Sequence, residues 1–205
     1  MDKTKIIGKF GKLFASDRAR DGVLQGIHYA ADGSAVVTNR HYLLRIQNAH
    51  SFKELITLHA KMGQPIEGAY PDTNRIFPSS FKDQFLIPHA ALGPIIRLVQ
   101  AAADAVSRLY KDYPGIKMTI DTKENLEISF ENENLSLRAF LWKAAGAGSS
   151  VRTLNAKYLA TALSVFDAAD SDVTIKLNGP HDAIVLSSDD GEIDVLILPY
   201  RVPYV

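Results

Sequence analysis

The 205-residue sequence contains no cysteine. That excludes a disulfide framework and a thiolate metal centre, and it makes a cytoplasmic location the expected one. No apolar run approaches the roughly 20 residues that cross a bilayer, so no membrane partner is expected. The basic N-terminus lacks the uninterrupted apolar stretch of a signal peptide. Neither sign of charge is in excess: 23 Lys and Arg face 23 Asp and Glu, which argues neither for nor against a nucleic-acid partner. With 46% hydrophobic and 22% charged residues, the chain has the composition of an ordinary globular protein, long enough for one large domain or two small ones.

The signatures of catalysis are missing as well. The six histidines, His28, His41, His50, His59, His89 and His181, form no HxH or HExxH pair, so no metal site is expected. The stretch AAGAGSS (144–150) lacks the Gly-Lys-Ser/Thr of a phosphate loop, and no GxSxG elbow occurs. Asp189 with Asp190, and Glu131 with Glu133, could pass for acid/base pairs, but both fall in polar hairpin turns where solvated carboxylates belong. No catalytic residue and no cofactor is expected, and the sequence points to a binding or scaffolding protein.

What is present is a repeated unit, a helix followed by three short strands. It is clearest over 153–202. Leu154, Tyr158, Leu159, Ala162, Leu163 and Phe166 recur at helical spacing. The alternating segments DVTIKL (172–177), AIVLS (183–187) and EIDVLILP (192–199) follow, separated by Asn178-Gly179-Pro180 and Asp189-Asp190-Gly191 turns.

The same order opens the chain. KTKIIGKFGKLFA (3–15) reads as a helix with Ile6, Ile7, Phe10, Leu13 and Phe14 facing inward. Gly8 and Gly11 weaken it by roughly 1 kcal/mol each relative to Ala. GVLQGIHYA and SAVVT around Asp32-Gly33 read as a hairpin, with HYLLRI as the third strand.

A third copy lies between them. After a short strand, FLIP, the sequence from His89 to Tyr110 predicts a helix with Ile95, Ile96, Val99, Ala103, Val106 and Tyr110 inward. Arg97, Gln100, Asp104, Arg108 and Lys111 face out. Pro94 belongs in the first turn or kinks this helix, because it has no N–H for the bond back to position 90. IKMTID, LEISFEN and LSLRAFLWKA then alternate cleanly, so one sheet face is expected under helices and one in water. AAGAGSS reads as a flexible joint. Residues 47–78 are weakly patterned and rich in Gly and Pro, consistent with a short helix or coil near 51–60, one strand, and an extended connector. Units at 3–46, 85–144 and 153–202 thus divide the chain into a partial domain (1–66), a connector (67–84) and a complete domain (85–205) built from two helices and six strands, an α+β fold with helices on one face of antiparallel sheets.

Four short stretches carry a resemblance. Leu196-Ile197-Leu198-Pro199-Tyr200-Arg201-Val202, Leu154-Asn155-Ala156-Lys157-Tyr158-Leu159, Gly68-Ala69-Tyr70-Pro71-Asp72 with Arg75-Ile76-Phe77-Pro78, and Val23-Leu24-Gln25-Gly26 with Thr38-Asn39-Arg40-His41-Tyr42-Leu43 lie in the order found in one family. Together they resemble the middle and C-terminal domains of the bacterial DNA polymerase III β sliding clamp. The family's first domain has no counterpart here, and most of the second unit of its middle domain is missing. Asn39, Arg40 and Tyr42 depart from the family's Thr-Asp-Gly-His-Arg-Leu run. An arginine where a small residue is usual narrows the neighbouring pocket, and Pro203, Tyr204 and Val205 extend past the usual end.

The resemblance implies a ring lined by helices, through which duplex DNA passes without sequence readout. It also implies an apolar cleft that takes short peptides of polymerases or clamp loaders. By position, that cleft uses Leu24, Thr38, His41, Leu43, Pro78, Asn155, Tyr158, Leu198, Pro199, Tyr200 and Arg201. Lys5, Lys9, Lys12, Arg97, Arg108, Lys111 and Lys157 lie on outward helix faces, where long cations make salt-sensitive phosphate contacts. The implied function is a processivity or tethering factor; a peptide-binding adaptor that encircles nothing is the alternative. A homo-oligomer is expected, and because the family ring holds about twelve such units, four copies of a three-unit chain would match it.

Overall fold

The computed structural model describes residues 2–110 and 115–201. Its first helix, α1 (Lys3–Phe14), starts at Asp2, whose carboxylate accepts the Thr4 N–H at 3.4 Å. Ile6, Ile7, Phe10 and Phe14 are buried, whereas Leu13, expected inward, is 48% exposed. The two glycines of α1 differ. A Cβ on Gly11 would stand 2.5 Å from Ile27 Cδ1, so this glycine lets the helix lie close on the sheet, while Gly8 faces open space. Gly8→Ala is therefore expected to raise stability by about 0.5–1 kcal/mol, and Gly11→Ala to give no such gain. Paired denaturant titrations check this; equal gains at both positions would contradict the close approach.

The segment expected to begin the first strand is instead a 3-10 helix, Ala19–Gln25, with Gly22 at a positive φ of 52°. Only β1 (Gly26–Tyr29) is extended, and it is followed by β2 (Ala35–Thr38) and β3 (Tyr42–Ile46). β4 (Ile56–His59) falls where helix or coil was expected and pairs with β1. Then come β5 (Asp83–Ile87), α2 (His89–Leu109), β6 (Gly115–Ile120), β7 (Asn125–Glu131), β8 (Ser136–Lys143), β9 (Ser150–Asn155), α3 (Ala156–Ala169), β10 (Val173–Leu177), β11 (Ile184–Ser188) and β12 (Ile193–Ile197). Pro94 sits inside α2, one turn deeper than the first. Tyr110, expected inward, is 46% exposed.

The strands form an eight-stranded sheet, β4-β1-β2-β3-β12-β11-β10-β5, and a four-stranded sheet, β8-β7-β6-β9. The described residues of 83–201 thus hold eight strands rather than six. The additional two are β5, longer than the FLIP expected, and β9, in a segment where no strand was expected. They are exchanged: β5, before α2, pairs with β10 of the last unit, and β9, before α3, pairs with β6 of the preceding one. β4 stands beside β1 as β9 stands beside β6.

The expected break between a partial and a complete domain is bridged by one sheet, because β3 and β12 pair antiparallel from Tyr42↔Ile197 to Ile46↔Ile193. The AAGAGSS joint is also no loose hinge. Ala144 and Ala147 are buried, and the Gly146 and Gly148 N–H groups donate to Glu124 and Asp83.

The three helices pack on one face of the sheets, with α3 contacting both α1 and α2. β10 alternates buried and half-exposed residues, as a strand with one wet face should. β2, β11 and β12 are buried throughout. The reason is a second, small apolar cluster on the far face of the eight-stranded sheet: Val36, Leu43, Val185 and Leu196, covered by Tyr70, Phe77 and Phe81 of the connector. Among the described residues no helix is long and apolar enough to cross a membrane.

Candidate functional site

The residues singled out near the carboxyl end meet where β12 runs out beside the start of β3. The Leu198 N–H donates to the His41 carbonyl at 2.9 Å, and the Tyr200 N–H donates to the Thr153 carbonyl at 2.7 Å. These two bonds lay the tail from the β3 turn to the strand that leads into α3. Asn155 is the N-cap of α3: its side chain accepts the Lys157 N–H at 2.9 Å. One turn on, Tyr158 projects back over the β3 turn. Its ring stacks on Tyr42 at 4.0 Å and lies 6.5 Å from His41, and its hydroxyl accepts from the Asn39 amide at 3.4 Å.

Thr38 closes the β2–β3 turn through its hydroxyl, 2.7 Å from the Tyr42 carbonyl. Leu43 is paired across from Leu196 and buried in the far-face cluster, so it supplies floor rather than open surface. Leu198 is 43% exposed, Arg201 exposed, and Pro199 buried. Leu24 is buried, and Pro78 directly follows Phe77 of that same cluster. The structure therefore gathers Thr38, His41, Asn155, Tyr158, Leu198, Pro199 and Tyr200 around one turn, with Leu43 beneath. Among the described residues no hydrogen bond or ring contact joins Leu24 or Pro78 to that group.

Arg40 is tied down beside this turn. Its backbone takes a left-handed φ of 78°, and its guanidinium reaches Asp21 at 3.2 Å. Asp21 accepts the Ser16 hydroxyl at 2.5 Å, and that bond above all holds its carboxyl below the usual range. Arg40 thus links the β2–β3 turn to the 3-10 segment that carries Leu24.

Tyr42 is the centre of the group, although it had appeared only as a departure from the family run. Phe14 of α1 stacks on it at 4.3 Å and Tyr158 of α3 on the other side, while its hydroxyl donates to the Leu13 carbonyl. Burial raises its pKa above the ordinary phenol value, and neighbouring Tyr158 adds to the rise.

On the far face, Arg45 and Asp194 are direct cross-strand partners with an ion pair of 2.7 Å. The Arg45 guanidinium lies 3.7 Å from the Phe77 ring centre, and Asp194 accepts the Ser187 hydroxyl at 2.7 Å. This network pins the connector over the β3–β12 joint. Sequence reasoning missed it because the pairing of β3 with β12 is not a local property.

The helix layer presents the proposed cations. Lys5, Lys9, Lys12, Arg97, Arg108 and Lys157 are all exposed, and among the described residues none makes an ion pair. A shallow depression of about 450 Å³ brings Lys157 beside Gln100 and Asp104, and a neighbouring one of about 460 Å³ joins Lys9 and Arg97 with Asp167. Two carboxylates therefore stand among the cations. Lys111 and the segment from Val202 to Val205 lie outside the described residues. Of the acidic pairs, Asp189 accepts the Ser171 hydroxyl from the segment that follows α3, and Asp190 accepts the Ser188 hydroxyl within the β11–β12 turn. The described residues contain no group of three or more His, Asp or Glu able to hold a metal.

No family model and no curated protein matches the sequence. Solved structures do match the fold. The β subunit of the DNA polymerase of Streptococcus pyogenes superimposes with a TM-score of 0.81 at 18% identity, covering 98% of this chain and 64% of that one. The sliding clamp of Bacillus subtilis gives 0.78 at 17%, covering 98% and 63%. The DNA polymerase III subunit beta of Pseudomonas aeruginosa, solved bound to griselimycin, gives 0.80 at 13%, covering 98% and 64%. The chain has the α+β fold of bacterial sliding clamps and spans less than two thirds of their length.

Proposed function

We propose that this chain is a clamp-like tethering factor that holds a partner's short peptide at the β3–β12 junction and rests its helix layer on duplex DNA. The observation that carries this reading is the seating of the tail: two backbone bonds fix Leu198 and Tyr200 beside Tyr158 and His41. They leave an exposed aliphatic side chain, an aromatic face and a few polar groups around one turn, the composition of a small peptide site.

DNA contact is the second half of the proposal. Six exposed cations on one helix layer suit sequence-independent phosphate contact. Asp104 and Asp167 in the same layer favour the alternative, an adaptor that binds peptide and retains no DNA.

Two measurements separate these. Fluorescence anisotropy with a short peptide from a bacterial replicative polymerase should show saturable binding, weakened about tenfold or more, some 1.4 kcal/mol, by Leu198→Glu. Leu198 is exposed enough for that change to spare the fold. Duplex binding should fall steeply with salt, and the triple variant Lys5→Glu, Lys9→Glu, Lys12→Glu should reduce the log–log salt slope by about 2–3. Peptide binding without any duplex affinity selects the adaptor. Absence of both removes the proposal.

A further inference from the structure

We propose that Arg40 sets the charge of the partner at the β3–β12 junction: the peptide held there carries an aspartate or glutamate beside its apolar anchor, and that carboxylate fills the open side of the Arg40 guanidinium. The inference rests on the peptide reading above and adds the partner's chemistry to it. It does not come from the resemblance, which puts a small residue at position 40.

Arg40 holds a backbone conformation that suits glycine. Its φ of 78° is left-handed, where a Cβ is crowded and a glycine is not. The turn enforces this. The Thr38 hydroxyl accepts the Arg40 N–H at 3.1 Å, and the Asn39 side-chain oxygen accepts the N–H groups of His41 and Tyr42 at 3.0 and 3.2 Å.

The fold gains little from having an arginine there. Its guanidinium makes a single contact with Asp21, Nη2 to Oδ1 at 3.2 Å, and the side chain is 64% exposed. Asp21 does not depend on it, because the Ser16 hydroxyl, ahead of Arg40, holds that carboxyl low. An ion pair with one partner in water stabilises less than a left-handed non-glycine residue costs. Folding alone therefore favours glycine at this position. Strain that the fold does not need marks a functional residue.

What the guanidinium takes follows from its shape. Among the described residues Asp21 is its one partner and reaches one nitrogen, so the rest of the fork is open. A planar fork matches a carboxylate with two parallel bonds. The residues gathered around the turn include no carboxylate to fill it. An apolar anchor point lies alongside: the Leu198 N–H bonds the carbonyl of His41, the neighbour of Arg40, and Leu198 is 43% exposed. Neighbouring residues of one short peptide can thus meet Leu198 and Arg40 together.

A peptide's own C-terminus has the same chemistry, but chain ends are captured by free backbone N–H groups. Here the N–H groups of Arg40, His41 and Tyr42 are already taken by Thr38 and Asn39. The carboxylate is therefore a side chain.

The test uses the whole chain and the polymerase peptide named above, with both ends blocked and one residue beside its apolar anchor set to Glu or Gln. In anisotropy titrations at low salt the Glu form should bind about fivefold tighter or more, and the preference should shrink as salt rises. Arg40→Gln should bring the ratio below about twofold, and Arg40→Lys, with the charge but not the fork, should give an intermediate ratio. A merely structural arginine would move both peptides together. Arg40→Gly suits the backbone, so it should lose the preference and melt no lower than the parent.

Equal binding of the Glu and Gln forms, a preference that survives Arg40→Gln, or a lower melting temperature for Arg40→Gly would each overturn this inference and leave the peptide reading standing. A Gln form that regains the preference when its C-terminus is unblocked would assign the site to chain ends and overturn it as well. Binding of neither form would remove both readings.

Discussion

Replacing Arg152 with alanine is expected to lower the free energy of unfolding by about 3 kcal/mol, since a buried cation's hydrogen bonds are lost and their acceptors left unpaired. For a chain of this size that is a fall of about 6–12 °C in Tm. Arg152 lies on β9 and is almost wholly buried. One nitrogen of its guanidinium donates to the Ser150 hydroxyl and the other to the Asn178 carbonyl, both at 2.7 Å. Burial pulls its pKa down, and Asp83 and Asp182 act against that. The side chain thus ties the second unit to the β10–β11 turn of the third. Arg152→Lys keeps the charge but loses the fork, so it should fall between parent and alanine. Arg152→Met keeps most of the volume and should resemble alanine. A methionine variant as stable as the parent would mean that the stem's packing matters and the fork does not.

The second large effect is expected at Tyr42. Removing a buried aromatic ring costs about 3–5 kcal/mol, and here the ring is the shared contact of α1, β3 and α3. Tyr42→Ala should therefore loosen the first unit from the third as well as destabilise the chain. Tyr42→Phe removes only the hydroxyl bond to Leu13, and should cost about 1 kcal/mol.

The pair also predicts a pH effect. The phenol's folded pKa lies above its unfolded value of 10.0, so its contribution is intact below about pH 10 and is lost as pH rises beyond it, because the unfolded chain ionises first. The parent should lose stability more steeply than Tyr42→Phe between about pH 10 and 11.5. Tyr70 is shifted the same way by burial and leaves a residual slope in both. Denaturant titrations at stepped pH measure this; parallel slopes in the two proteins would contradict it.

The repeated unit was legible because helical and alternating spacings are local, and all three meanders and all three helices lie where those spacings put them. What was not legible depended on distant pairing. β9 shows as a strand only because β6 accepts it, and β4 because β1 does. Val23 and Leu24 read as strand, yet they belong to a 3-10 segment whose Asp21 is held by Ser16 and Arg40. Leu13 had the right spacing for the core, but Gly11 brings α1 so close to Ile27 that the buried stripe narrows and Leu13 falls outside it. The candidate site was legible as motifs: Asn155, Tyr158 and the tail converge as their order implied. The central part of Tyr42 was not, since its importance comes from two rings contributed by α1 and α3.

The exchange of β5 and β9 has a consequence for how this protein comes apart. Each half of residues 83–201 completes its sheet with a strand lent by the other, so neither half can lose its order alone. Cleavage in the turn at 144–149 would leave two fragments, each missing a sheet edge and half of the helix pair. The region should therefore melt in one cooperative step, and its long-range strand pairings make it a slow folder for its size.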